Sequence, residues 1–175
     1  MKRLLLALAA FTLLAAPALA QDMNGSYVTL VGPSSADPGD TVTFEFYVYN
    51  GSPDAEWTTE VRFRFPETFN VLDGTYDDGG AGWSFDFSTS GDYDEYAHFI
   101  DGDGGYGEIV DGTGGTFYVT VFINPNTECG PYNLHWKQYG DEWGDPPHWI
   151  GGDLPFVMCP VATEAHTLSG VKALY

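Results

Sequence analysis

The chain has 175 residues and carries 25 Asp and Glu against six Lys and Arg, a formal net charge of −19. So acidic a balance excludes nucleic acid and anionic membrane surfaces as partners, because both need Lys and Arg to displace counterions. Two cysteines in a chain of this length exclude a disulfide-dense miniature scaffold, and the length suits one domain with its own core.

Met1 to Ala20 opens with Lys2 and Arg3, continues through an apolar stretch from Leu4 to Ala16, and ends in Ala18-Leu19-Ala20. A basic start, a short apolar region and a small-x-small site predict a secretory signal peptide rather than a membrane span. The product is then secreted, extracellular or at the cell surface, with no membrane insertion, and its mature chain begins near Gln21. Only four basic residues would remain in it. An even cysteine count in an exported chain predicts a Cys129–Cys159 disulfide.

Ser26 to Val31 reads as a first strand, followed by a Pro33 and Pro38 turn. Thr41 to Tyr49 then alternates, with Val42, Phe44, Phe46 and Val48 on one face and Thr, Glu and Tyr on the other. From Trp57 to Phe65 a second run alternates, predicting Trp57, Thr59, Val61, Phe63 and Phe65 on one face and Glu60, Arg62 and Arg64 on the opposite one. Asn50 to Ala55 joins the two as a hairpin turn or a short crossover between sheets. Phe69 to Leu72 is a short strand and Asp73 to Gly82 a loop. Trp83 to Phe87 pairs with Glu95 to Ile100. Asp101 to Gly115, with seven glycines and three aspartates, is a long loop except around Glu108 to Val110. Thr116 to Ile123, Tyr132 to Tyr139 and Leu154 to Met158 complete an all-β, antiparallel sandwich over 21–159. Pro160 to Tyr175 is a tail, mobile or able to dock on another chain.

The segment PGDTVTFEFYVYNGS, Pro38 to Ser52, followed by a strand ending at Phe65-Pro66, resembles the conserved-repeat, immunoglobulin-like domains of prokaryotic secreted and surface proteins. The likeness covers about the first third of the expected mature chain. It implies an immunoglobulin-like β-sandwich used as a spacer, adhesion or assembly module, with no catalytic residues to carry over.

Two constellations can carry chemistry. Asp101, Asp103, Glu108 and Asp111 place oxygen ligands on glycine-rich backbone, as calcium requires, with Asp77, Asp78, Asp92 and Asp94 as further candidates. The alternative is a solvated Asp-Gly loop and no cofactor. The segment from His135 to Trp149 holds three of the five tryptophans. Trp143, Tyr139 and Trp149 there suit stacking on a glycan or burying a protein partner. Trp136 and Trp149 can instead face the core, whereas Trp143 sits mid-loop. His135 and His148 can meet across the hairpin and hold zinc. Enzyme signatures such as Gly-x-Ser-x-Gly or His-Glu-x-x-His do not occur, and no spacing singles out a carboxylate pair for hydrolysis. The sequence thus reads as a non-enzymatic structural, adhesion or assembly module contacting an extracellular protein or itself, with a carbohydrate-binding module and an extracellular hydrolase as the alternatives.

Overall fold

A computed structural model describes residues 23–53, 55–77, 82–88, 96–143 and 146–160. The expected signal peptide, 1–20, and all but the first residue of the expected tail, 160–175, lie outside the described residues, as do Asp78, Asp92 and Asp94. Ten strands run in chain order: β1 Tyr27–Gly32, β2 Ser35–Ala36, β3 Thr41–Tyr49, β4 Thr58–Arg64, β5 Phe69–Asp77, β6 Trp83–Ser88, β7 Tyr96–Asp101, β8 Gly114–Ile123, β9 Gly130–Gly140 and β10 Trp149–Met158. They form a four-stranded sheet, β1-β3-β8-β5, facing a six-stranded sheet, β2-β10-β9-β4-β7-β6. Pairing is antiparallel throughout except where β2 runs parallel to β10. The protein is an immunoglobulin-like β-sandwich.

Alternation dictates which side chains meet between the sheets. Phe44, Phe46 and Val48 of β3, with Phe117, Val119, Val121 and Ile123 of β8, are buried against Val61, Phe63, Ala97, Phe99, Leu134 and Phe156 of the other sheet. Phe46 and Phe63 stack across the interior with ring centroids 4.0 Å apart. The Asn50 to Ala55 segment is therefore a crossover and not a hairpin, because β3 and β4 belong to different sheets and pack face to face.

Four sequence expectations need correction. Trp57 and Thr59 do not share the buried face of Val61: a bulge between Thr58 and Glu60 turns Thr58 inward and shifts the alternation by one. Strand β5 runs on through Asp73, Gly74 and Thr75 to Asp77 rather than ending at Leu72. Gly74 is in a strand because the Phe85 ring occupies its missing side chain's place, and a Cβ there would sit 2.2 Å from that ring. Ser35–Ala36, expected within a turn, forms the short edge strand on β10. Gly114 and Gly115, expected in the long loop, begin β8, while Ile109 in that loop is buried and bridges Thr58, as expected around 108–110.

The Cys129–Cys159 bond closes with Cα atoms 5.2 Å apart, clamping the start of β9 to the end of β10. Asn50, expected to be an ordinary turn residue, is a buried hub. Its Nδ2 donates to the carbonyls of Glu56 at 2.7 Å and Ile109 at 2.8 Å, while its Oδ1 accepts from the backbone N–H of Ser52 at 3.0 Å. These bonds fix the crossover and the β7–β8 connection to each other, since a buried amide left unpaired costs on the order of 1–3 kcal/mol.

Candidate functional site

The pairing of β9 with β10 on one side and β4 on the other, and of β4 with β7, sets three rows of four residues across the outer face of the six-stranded sheet. In one row Asp153, His135, Arg64 and Tyr96 are successive partners. In the next come Gly151, Lys137, Arg62 and His98, and in the third Trp149, Tyr139, Glu60 and Ile100. A concave groove of about 480 Å³ lies over these rows, lined by Arg62, Arg64, Tyr96, His135, Lys137, Tyr139, Trp149 and Asp153 around Gly151 and Gly152. Glycine at 151 leaves the middle of the β10 rim without a side chain, and an added Cβ would meet the Trp136 carbonyl oxygen at 2.7 Å.

Cations and rings interleave on this face. The Arg62 guanidinium carbon lies 5.0 Å from the centroid of the Tyr139 ring, and Lys137 Nζ lies 4.6 Å from that of Trp149. Glu60 pairs with Arg62, and its Oε1 is 2.9 Å from His98 Nε2. Burial pushes the Glu60 carboxyl up, but the hydrogen bonds from His98 and Arg62 outweigh it and hold the group below its ordinary value. Burial raises the Tyr139 hydroxyl, against the nearby Arg62 charge. His135 Nδ1 pairs with Asp153 across the β9–β10 ladder.

Beside the groove, His148, just before β10, is tied down by Glu56, whose side chain is fully buried. Its Oε1 is 2.9 Å from His148 Nδ1. Burial raises the Glu56 carboxyl above its ordinary value, and the bond to His148 only partly offsets this. Glycine at 140 makes room for the pair, because a Cβ there would fall 2.1 Å from Glu56 Oε1.

Of the rings singled out in the sequence, Tyr139 and Trp149 are brought together as direct cross-strand partners, and Trp149 faces outward at 48% exposure while Trp136 faces the core. Trp143 is 66% exposed but does not line the groove, so the three rings do not form one platform. His135 and His148 do not converge for zinc. They bond different carboxylates, Asp153 and Glu56, five ladder positions or roughly 17 Å apart along β9. Asp101, Asp103 and Glu108 bring carboxylate oxygens within 4.8 Å of one another, whereas Asp111 does not join them. The basic residues of the groove were legible in sequence only as polar positions of a strand, since Arg62 and Lys137 lie far apart in the chain and meet through β4–β9 pairing.

No family model matches the chain, and no curated protein matches it. Solved structures share its fold. A protein of Nocardia farcinica, described as revealing an immunoglobulin-like fold, is 19% identical with a TM-score of 0.52, over 75% of this chain and 96% of that one. The cohesin–dockerin complex Coh-OlpA-Doc918 of Clostridium thermocellum contains a chain 14% identical with a TM-score of 0.50, over 76% and 99%. AvmM, which catalyses macrocyclization in alchivemycin A biosynthesis, is 13% identical with a TM-score of 0.51, over 78% and 90%. The shared sandwich thus hosts both binding and catalytic proteins, and function has to be argued from the site.

Proposed function

We propose that the chain is an exported, non-enzymatic β-sandwich module that works by surface contact, and that the contact surface is the groove on the outer face of β10, β9, β4 and β7. One observation carries this reading. All three Lys and Arg among the described residues, Arg62, Arg64 and Lys137, line that groove in a chain whose net charge is −19. The Cys129–Cys159 bond supports an oxidising, extracellular setting, as in the surface modules that the Pro38 to Ser52 segment resembles. The half-buried Glu60 and the buried Glu56 are each held by histidine and serve the architecture of the face rather than a reaction.

The test is co-sedimentation of the purified chain with isolated cell envelopes of the producing organism. Wild type is expected in the pellet, Lys137→Glu with Arg64→Glu in the supernatant, and Tyr27→Ala, on the opposite sheet, in the pellet. Equal pelleting of the wild type and both variants refutes the groove as the contact surface. The Asp101, Asp103 and Glu108 carboxylates support a calcium ion at the 101–108 loop, with backbone and water oxygens completing the six to eight ligands that calcium takes. Thermal melting should then show a calcium-dependent rise that chelator reverses and Asp103→Asn abolishes, and an unchanged melt excludes the ion.

A further inference from the structure

We infer that the open edge of β10 takes an extended segment of a partner protein as an added strand, with one carboxylate of that segment laid across Gly151 toward Lys137. The inference rests on the reading of the groove as the contact surface and adds the class of partner. Its first support is the fate of the backbone groups. Strand β10 pairs with β9 along its whole length, but β2 covers its other side only at Val157 and Met158. The Gly140 N–H donates to the His148 carbonyl at 2.9 Å, so even-numbered residues exchange bonds with β9 and odd-numbered ones aim N–H and C=O outward. Val157 keeps this phase, its N–H donating to the Ser34 carbonyl at 3.0 Å, and Pro155, which has no N–H to give, falls in it too. Trp149, Gly151 and Asp153 therefore present their N–H and C=O groups to a side where no strand lies among the described residues. An exposed, regular edge of this kind is a template for a further strand. The edge strands β1 and β5 carry register shifts, a usual guard against such addition, whereas the β9–β10 ladder has none. Pro155 blunts one end and leaves Trp149 to Asp153 open, about 13 Å of strand.

Charge is the second support and chooses the partner. Arg62 is paired with Glu60, whereas Lys137 lies over the Trp149 ring and makes no ion pair among the described residues. Gly151 stands directly opposite Lys137, and a Cβ there would fall 3.1 Å from Lys137 Cγ, so the glycine keeps the way from the edge to the lysine clear. A residue of an added strand facing Gly151 lies two strand spacings from Lys137, about 10 Å, which a glutamate and a lysine reaching toward each other bridge. Its neighbours on the same strand turn to the other face and extend the apolar layer at Ile150, which packs against the core and is only partly buried. The segment thus alternates apolar residues with a central acid. It carries few further acids, because a chain of charge −19 repels a polyanion. A second copy of this chain fits less well. It brings the same −19, and a symmetric pairing about Gly151 sets glycine against glycine, with no carboxylate for Lys137.

The experiment is an NMR titration of the full chain, with amide hydrogen exchange, using the end-blocked peptide Ser-Thr-Val-Glu-Val-Thr-Ser. Compared with it are its glutamine counterpart and two forms N-methylated on alternate amides, one in each phase. The acidic peptide should bind and slow exchange at Trp149, Gly151 and Asp153. One methylated form should bind about tenfold weaker or more and the other nearly as the parent, since only one phase of an added strand faces β10. Lys137→Gln should weaken the acidic peptide about tenfold and leave the glutamine peptide unchanged. Asp153→Pro, which removes an edge donor as Pro155 does, should weaken both at unchanged circular dichroism; if that variant does not fold, the methylated pair decides alone. No exchange protection at millimolar peptide, equal loss for both methylated forms, or tighter binding of the glutamine peptide overturns the inference. Self-association through the same edge without peptide also overturns it, and assigns the edge to a second copy. If envelope co-sedimentation still depends on Lys137 and Arg64 in those cases, only the partner class is wrong; if it does not, the contact surface itself is.

Discussion

The two outer faces of this sandwich cover one aromatic core and are built by the same alternation, yet they differ in what they present. On the four-stranded sheet, β3 and β8 offer Thr43, Tyr47, Thr116, Tyr118 and Thr120, with Thr43 and Thr120 hydroxyls 2.9 Å apart and Tyr27 stacked on Tyr49 at 5.0 Å. Each of those contacts satisfies its neighbours, as cross-strand pairs in a structural sheet do. On the six-stranded sheet, β4 and β9 oppose cation to cation over a groove. A face of neutral, mutually bonded pairs stabilises the sheet, while one that gathers the described cations over a groove is set up for contact. The difference teaches that function here is to be sought in the pairs a sheet would not choose for its own stability.

The largest expected effect lies beneath both faces and should not tell them apart. Phe46→Ala removes the ring stacked on Phe63 and should cost about 3–5 kcal/mol by denaturant unfolding, so a loss under 1 kcal/mol would mean the two sheets do not pack through this stack. Lys137→Glu should separate stability from contact, shifting unfolding by less than about 1 kcal/mol while binding to envelopes is lost. Loss of both together would assign Lys137 to architecture.

The pH dependence sharpens the contrast further. Because hydrogen bonding holds folded Glu60 below its ordinary 4.5, its contribution is present above that value and lost as pH falls through the lowered one. Glu60→Gln should therefore flatten the acid limb of a stability-against-pH curve. Glu56 acts with the opposite sign. Its raised carboxyl contributes stability below its ordinary value that is lost as pH rises through the folded one, so Glu56→Gln should flatten the curve above the ordinary carboxylate range. The smallest effect belongs to the self-satisfied face, where Thr43→Ala should cost about 0.2–1 kcal/mol and leave binding unchanged.

The fold was legible in the sequence wherever alternation ran unbroken. Val42 to Val48 and Phe117 to Ile123 fall on the core side as their period of two requires. It was illegible where one residue broke that period, as at the Thr58–Glu60 bulge, or where a glycine made room instead of a turn, as Gly74 does beneath Phe85. The candidate site was legible in part. The sequence placed Tyr139 and Trp149 in one aromatic segment, and the β9–β10 register makes them direct partners. Trp143 drew attention by its sequence neighbours, but a loop position says nothing about which face a ring joins. The cations were missed because periodicity locates a residue on a face without saying which distant strand will stand beside it. Only the β4–β9 register converts Arg62, Arg64 and Lys137 from scattered polar positions into a charged row.

The most direct test of the groove as the contact surface is a backbone amide NMR titration of the isotope-labelled chain with solubilised cell-envelope material of the producing organism. The account predicts shifts concentrated on Arg62, Arg64, Lys137, Tyr139, Trp149 and Gly151 with β1, β3, β8 and β5 unmoved. Shifts centred on the Thr and Tyr face of the four-stranded sheet, or none anywhere while the chain still pellets with envelopes, would contradict it.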